Sequence, residues 1–361
     1  MLQRPTVRGL AAALATVGLL ALAGCGDDDP SATAAAATTG AIEVRNCGVE
    51  RRYRGPVRRI VATSNSANVG TLIRVGAARQ IAAMSLSPGN DPVMERYGAS
   101  VASIPRLQSP IALEAVVARR PDLLIGSYSG LFAGASGVTE ERARARRIAT
   151  YVISDSCRQD PAKGRDSALG TMGPWDAVRA DLANYGALTG HRERAADARR
   201  ELDRRLAALR AAPRPRRAPR VLLYDSGEKD LYTSGRNGAP QGIIDAAGGR
   251  NVFADVDTTW FRASWERVAR ARPDLIVVMD YRSGEPGEVR QKLATIRARA
   301  GLRGTPVVDR DRIVVLPLSL FTSGFPNIDA AEQVRAALEA EGLAPPSAIG
   351  AKRIDWSALG R

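Results

Sequence analysis

Two glutamates occupy matching places in a stretch that the chain repeats. Residues 112–126 read A-L-E-A-V-V-A-R-R-P-D-L-L-I-G, and residues 264–278 read S-W-E-R-V-A-R-A-R-P-D-L-I-V-V. Glu114 aligns with Glu266, Val116 with Val268, and Arg120-Pro121-Asp122-Leu123 with Arg272-Pro273-Asp274-Leu275. A carboxylate in the first turn of a helix is favoured by the helix dipole, by about 0.3–1 kcal/mol at an exposed site. Two of them on matching surfaces offer a two-fold partner a symmetric pair of charge-assisted contacts. Groups for covalent chemistry are missing from the pattern. The one histidine, His191, stands at a helix start beside Gly190, where capping or surface exposure is its ordinary role. No G-x-S-x-G places a serine on a sharp turn. Neither a G-x-G-x-x-G after a strand nor a G-x-x-x-x-G-K-[ST] is present, which argues against dinucleotide and nucleoside triphosphate sites. One histidine is also too few for capture of bare Zn²⁺ or Mn²⁺, so no metal site is expected. The pattern is that of a binder, not an enzyme.

These residues need elements to hold them. Each copy of the repeat predicts a short helix, a stop before proline, and a strand. Proline cannot continue a helix and pushes its predecessor towards extended backbone. The apolar run after it does not alternate, as in a parallel strand buried on both faces. Two such units, roughly 150 residues apart, predict two similar α/β lobes. In the first lobe, residues 59–63, 81–84 and 151–153 read as strands. A helix runs from Ser64 to about Val75, and Gly76 ends it. Loops that follow parallel strands face the ligand crevice, which puts Ser64, Asn65, Ser85 and Tyr128 on one rim. Residues 175–189 have helical periodicity. After Gly190 a second helix, 190–212, carries Leu202, Leu206 and Leu209 on one face. Its Arg199, Arg200, Arg204 and Arg205 read as a solvated face. At about 30 Å it is long enough to span two lobes, and it lies between the two copies of the repeat. In the second lobe, 220–224 and 312–316 are strands, 225–239 and 257–262 are loops, and 241–247 and 329–341 are helices. Residues 345–361 read as a loosely packed tail.

Net charge is +14, from 52 basic and 38 acidic residues. The excess is mostly arginine and is scattered, with no basic stripe interleaved with aromatics, so a nucleic-acid groove is not indicated. Such a surface favours anionic partners, either a ligand or a membrane. The N-terminus has a basic start, Arg4 and Arg8, and an apolar stretch at 9–23 that is too short to span a bilayer. It ends in Leu22-Ala23-Gly24-Cys25, which resembles a bacterial lipobox. Residues 1–24 are then a lipoprotein signal peptide. Cys25 takes the lipid, and 25–41 form a flexible tether with a reach of roughly 20–25 Å. This places the mature protein outside the cell membrane, lipid-anchored to its outer face. Cys47 and Cys157 remain in an oxidising compartment and read as a disulfide pair, with two buried thiols as the alternative. A bridge between them closes a loop of about 110 residues, nominally worth ~4–5 kcal/mol.

With its lipobox, repeated Glu…Pro-Asp units and helical bridge, the chain resembles the substrate-binding lipoproteins of ABC importers. The match is to class III, the helical-backbone periplasmic binding proteins, which carry ferric siderophores, haem or cobalamin-type corrinoids. It spans roughly residues 42–344. R-I-V-A-T-S…L-I-R-V-G-A-A-R-Q-I-A-A-M-S is similar to that family's opening strand–helix–strand. L-Y-T-S-G-R-N-G-A-P-Q-G-I-I-D-A-A-G-G-R-N-V-F-A-D is similar to its second-lobe signature. The resemblance implies two Rossmann-like α/β lobes with parallel central sheets, 42–189 and 213–344, joined by one long helix, 190–212. It implies a monomer without enzymatic activity or cofactor, whose ligand itself carries chelated iron or cobalt. It assigns Glu114 and Glu266 to docking on an ABC permease dimer in the membrane. It puts a bulky, anionic ligand between the lobes, near Ser64, Tyr128, Trp260, Arg262, Tyr281 and Arg282. Trp260 and Tyr128 would stack on a planar or catecholate ligand, and Arg262 and Arg282 would pair with its anionic oxygens. The leading expectation is a ferric-siderophore-type chelate. The alternatives are haem, a corrinoid, or a precursor of the deazaflavin cofactor F420. The cysteine pair and Gly-Ala-Pro-Gln at 238–241 resemble an actinobacterial branch linked to that precursor. A surface lipoprotein that kept the fold without transport is a further alternative.

Overall fold

The computed structural model describes residues 40–63, 66–86, 88–108, 110–126, 129–132, 137–157, 172–282, 287–350 and 354. The described chain opens on an antiparallel hairpin, β1 (Ala41–Asn46) and β2 (Val49–Arg54). Cys47 and Gly48, both at positive φ, make its two-residue turn. The first lobe continues through β3 (Ile60–Ala62), α1 (Ser66–Arg74), β4 (Ile81–Met84), α2 (Asp91–Glu95), α3 (Leu113–Val117), β5 (Leu123–Gly126), α4 (Glu140–Ala145) and β6 (Ala149–Val152). Then come α5 (Pro174–Thr189) and α6 (Arg192–Ala211). The second lobe holds β7 (Arg220–Tyr224), β8 (Asp230–Ser234), α7 (Ala239–Ala247), β9 (Arg250–Asn251), β10 (Trp260–Ser264), α8 (Trp265–Ala271), β11 (Leu275–Asp280), α9 (Glu288–Ala298), α10 (Pro306–Asp309), β12 (Ile313–Pro317) and α11 (Asn327–Ala340). The lobe sheets are ordered β4-β3-β5-β6 and β12-β11-β7-β9, and every pair in them is parallel. Numbering each sheet's strands in chain order gives 2-1-3-4 in both. The duplication read in the sequence is therefore a duplication of topology.

The repeated Pro-Asp has a structural purpose. Asp122 accepts hydrogen bonds from the backbone N–H groups of Arg58 (2.7 Å) and Arg59 (2.9 Å), just before β3. Asp274 accepts from the Arg220 backbone N–H (2.8 Å) and from both arms of its guanidinium (3.0 Å each), at the start of β7. In each lobe this carboxylate fixes the register of the third strand on the first. The residue before the proline departs from expectation. Arg120 and Arg272 are not extended; they sit at φ 46° and 48°, in the left-handed region. The Arg272 backbone N–H bonds the Val268 and Ala269 carbonyls, so a left-handed cap ends α8 before the proline.

The connection between lobes is a pair of helices. α5 packs on β1, on α7 and on the segment after β6, while the 20-residue α6 packs on α1, α7 and α11. Leu202, Leu206 and Leu209 of α6 are buried as the periodicity predicts. Arg205 does not belong to the solvated face: it donates to Asp329 and Glu332 of α11. The loops expected at 225–239 and 257–262 contribute instead to a ribbon, in which β8 and β10 pair antiparallel. The start of the expected loose tail is also packed. Arg335, fully buried, donates to the Pro345 carbonyl (2.8 Å), and Ser347 Oγ donates to Glu339 (2.6 Å).

A disulfide joins Cys47, in the hairpin turn, to Cys157, beyond β6. Next to it the Asn46 amide and the Val152 backbone exchange hydrogen bonds, at 2.7 and 3.3 Å. The Tyr53 hydroxyl donates to the Thr150 carbonyl (3.0 Å). The hairpin thus covers the outer edge of β6 with side chains in place of a further strand. Beside this edge, Asp181 of α5 accepts from the Tyr151 hydroxyl (2.6 Å), the Ser154 hydroxyl (2.7 Å) and the Ser154 N–H (3.1 Å). Burial pushes the Asp181 carboxyl up to about 6. Burial, reinforced by the Asp181 charge, pushes Asp155 up to about 7. Folded-state values above the unfolded carboxylate value mean that this pair stabilises the fold at low pH. That contribution fades as pH rises through about 7. The expected result is a loss of about 1–3 kcal/mol in unfolding free energy between pH 5 and 8, with Asp155→Asn removing most of the slope. Urea unfolding across that range checks it; a wild-type curve that is flat or rises would refute it.

Candidate functional site

In parallel α/β sheets the ligand crevice lies beyond the carboxyl ends of the strands, where strand order reverses. Here that point falls between β3 and β5 in one lobe and between β7 and β11 in the other. The lobes meet at its floor. The Phe325 N–H donates to Thr71 Oγ1 (2.9 Å), and the Ala67 N–H lies 3.4 Å from Thr322 Oγ1. Gly324 permits this approach, because a Cβ there would overlap the Ala67 carbonyl. Nearer the rim, Asn90 donates to the Tyr281 carbonyl (3.0 Å). A Cβ on Gly89 would overlap the Arg282 carbonyl oxygen, so only glycine admits this close contact.

The second-lobe wall is a connected polar and aromatic network. The Tyr281 hydroxyl donates to Asp225, which directly follows β7. Lys292 sits over the Tyr281 ring, 4.4 Å from its centroid. Its Nζ donates to the Met279 carbonyl (2.6 Å) and to Glu288 (2.7 Å). Burial raises the Asp225 carboxyl. Burial and then the Asp225 charge raise the Tyr281 hydroxyl, so Tyr281 stays a donor at any working pH. The Asp225 N–H bonds the Tyr232 carbonyl (3.1 Å), which carries the network onto the β8–β10 ribbon. There Tyr232 stacks on Trp260, with centroids 5.8 Å apart and planes 22° apart. Arg262 lies 5.8 Å from the other partner, the Tyr232 ring. An aromatic pair with a guanidinium beside it offers a flat apolar surface and a fork of donors for anionic oxygens.

The structure therefore brings Trp260, Arg262 and Tyr281 into one wall through Tyr232 and Asp225. Arg282 is next to this wall, on the seam with the first lobe. Ser64 and Tyr128, expected on the opposite wall, and Cys25 lie outside the described residues. Asp225, Tyr232, Lys292 and Asn90 were not singled out from the sequence. Asp225 had a readable signal, since it immediately follows the apolar run Val221-Leu222-Leu223-Tyr224, as Ser64 nearly follows β3. Among the described residues no group of three or more His, Cys, Asp or Glu could hold a metal ion. No helix among them is long and apolar enough to cross a membrane.

Glu114 and Glu266 are both exposed, in the first turns of α3 and α8. Each of these helices leads back to the start of a central strand, so its N-terminus lies on the crevice side of its lobe. The Ser264 hydroxyl beside Glu266 holds that carboxyl below the usual range, and Ser264 also caps α8 by accepting from the Arg267 N–H. Ala112 at the matching place of α3 provides no such cap.

The family model described as "Periplasmic binding protein" matches residues 61–320. A vitamin B12-binding protein of Salmonella choleraesuis is 29% identical over 159 residues, 42% of this chain and 58% of that protein. The Salmonella typhimurium counterpart is 32% identical over 129 residues, 34% of this chain and 47% of that protein. The chain thus spans about half the length of the curated relatives it matches. Among solved structures, an ABC-type Fe3+-hydroxamate transport protein of Saccharomonospora viridis has a TM-score of 0.65 at 23% identity. That match covers 82% of this chain and 98% of that one. The fold, with two parallel-sheet lobes of one topology on a helical backbone, agrees with this likeness. The chain belongs to the periplasmic binding protein family, in its class with two α/β lobes joined by a helical backbone.

Proposed function

We propose that this protein is an extracytoplasmic solute-binding receptor of an ABC importer. It takes a bulky metal-chelate ligand between its lobes and hands it to a permease dimer. One observation carries the reading: the crevice wall of Trp260, Arg262 and Tyr281 and the exposed Glu114 and Glu266 share the strand-carboxyl side of the molecule. A lipid on Cys25 would hold the receptor at the outer face of the membrane, within reach of the permease.

A ferric-siderophore-type chelate is the leading ligand. The Tyr232–Trp260 stack suits a planar or catecholate group, and Arg262 suits its anionic oxygens. The sequence identity with vitamin B12-binding proteins supports a corrinoid as the second reading. The test is titration of purified protein with ferric siderophores, haem, corrinoids and deazaflavin precursors, followed by tryptophan fluorescence. The expected result is saturable quenching by a ferric siderophore, reduced in W260F. Loss of one charge-assisted contact in R262A should weaken binding by about 10–100-fold. Quenching by a corrinoid alone would replace the leading ligand with the second. Silence with every class would sink the receptor reading.

A further inference from the structure

The charge on this molecule is sorted by the fold. In both lobes the helices that pack on the sheets run against the strands, so their N-termini lie on the crevice side. Carboxylates stand in those first turns: Glu114, Glu140, Glu266 and Glu288. The opposite edge, where the strands begin, is entered through arginine. Arg58 precedes β3, Arg120 precedes β5 and Arg147 precedes β6, while Arg217, Arg272 and Arg310 precede β7, β11 and β12, and all six are exposed. Helix-dipole complementarity accounts for some of this, since α3, α4 and α8 end just before β5, β6 and β11. It does not account for Arg58 or Arg217. The first is reached from the hairpin and the second from the proline-rich stretch at 213–219, so neither stands in the last turn of a helix.

A second observation concerns where the chain enters. Asn46, at the end of β1, is bonded to Val152 at the carboxyl end of β6, so β1 runs from the arginine edge towards the crevice edge. Its first residue, Ala41, pairs with Arg54. The Gly40 carbonyl accepts from Gly55, two residues before Val57 and next to the Arg58–Asp122 clamp. Gly40, the first described residue, therefore lies at the arginine-lined edge.

We propose that this edge, opposite the crevice, is a docking surface for anionic phospholipid headgroups. Arginines on a rigid edge attract a negatively charged surface within a Debye length. While bound there, the receptor would present its crevice and its two glutamates away from the membrane, free to collect ligand. Meeting the permease then requires it to turn over on its tether. The orientation rests on the lipid anchor proposed above at Cys25; the surface does not.

The test uses the compact unit from Thr39 to Arg361, which leaves out Cys25 and carries every element described. Its binding is measured by co-sedimentation with phosphatidylcholine vesicles, with and without phosphatidylglycerol. Binding is expected only with phosphatidylglycerol, and it should disappear at high salt. The variant R58Q/R120Q/R217Q/R272Q should bind at least about tenfold more weakly. R290Q, in the first turn of α9 on the crevice side, should bind like wild type. If the fourfold variant does not fold, the single reversals R58E and R217E carry the same comparison. No binding to phosphatidylglycerol vesicles would overturn the proposal, as would equal binding by the arginine variants. Preference for soluble polyphosphate over vesicles would overturn the membrane as the partner. None of these failures would touch the receptor reading, because ligand titration reads that separately.

Discussion

Arginine at both Glu114 and Glu266 is expected to cut ligand-dependent uptake by about a hundredfold or more, while ligand affinity of the purified protein changes by less than about twofold. The two side chains are exposed and contribute to folding only through their helix dipoles, about 0.3–1 kcal/mol each, so the variant should stay folded. Both stand on helices, α3 and α8, and not on the strand and loop that carry Trp260, Arg262 and Tyr281, so binding should survive. At a permease interface, truncating one member of a close charge pair costs about 2–5 kcal/mol. Reversal adds repulsion between like charges, and the two sites act together. Either single reversal should therefore lose at least about tenfold, with Glu266→Arg losing more. The Ser264 hydroxyl hydrogen-bonds the Glu266 carboxylate and so orients it, whereas α3 has Ala112 at that place. The measurement is uptake by cells expressing each variant, beside a binding titration of the same protein. Normal uptake by the double variant would exclude these glutamates from docking. Normal binding without any uptake in wild type would favour a surface lipoprotein that does not serve a permease.

The lobes were legible because their evidence is local. A helix, a proline, an aspartate and an apolar run recur as one string, and the string folds the same way twice. Even there one position in each copy departs from what the sequence implies. Steric rules push the residue before proline towards extended backbone, but Arg120 and Arg272 take the left-handed conformation, Arg272 as the cap that ends α8. The sequence implies two loops where the structure has the β8–β10 ribbon. Its strands are bordered by Asp225-Ser226-Gly227 and Gly235-Arg236-Asn237-Gly238, which look like turn residues, and its pairing joins segments that are far apart in sequence. The wall of the site depends on that ribbon, so Tyr232 was missed although Trp260 and Arg262 were not. Asp225 and Lys292 belong to the same kind of omission. A carboxylate after a strand and a lysine on a helix acquire meaning only when Tyr281 is placed between them. Charge pattern alone misassigned Arg205, since its neighbours Arg199, Arg200 and Arg204 do occupy a solvent-facing or half-exposed surface.

Arg205 is where that misassignment matters most. Its guanidinium bonds Glu332 at 3.0 and 2.9 Å and reaches Asp329, both on α11, with Glu201 one turn back on α6 at 3.5 Å. Glu201 in turn pairs with Arg74 of α1, and Asp329 accepts from the Tyr97 hydroxyl at 2.6 Å. One side chain on the bridging helix thus ties the first lobe to the second. Burial alone would lower the Arg205 pKa, but the bonds to Glu332 and Asp329 outweigh it and hold the guanidinium above its usual range. Arg205→Met would keep much of the packing and remove the charge. The Glu332 side chain, 5% exposed, and Asp329, 16% exposed, would then lose their counter-charge. Breaking a buried pair on one side typically costs about 3–5 kcal/mol, so unfolding at lower urea and a Tm lower by roughly 5–10 °C are expected. Neutralising the partners should restore part of the loss, so R205M/E332Q is expected to be more stable than R205M. The same variant tests whether this joint sets the lobe arrangement. Amide exchange should accelerate in α11 and in the Tyr97 segment together, because both depend on one guanidinium. Faster exchange in α11 alone would mean that Arg205 stabilises its own lobe and that the seam between lobes is held by Thr71, Asn90 and Gly324 instead.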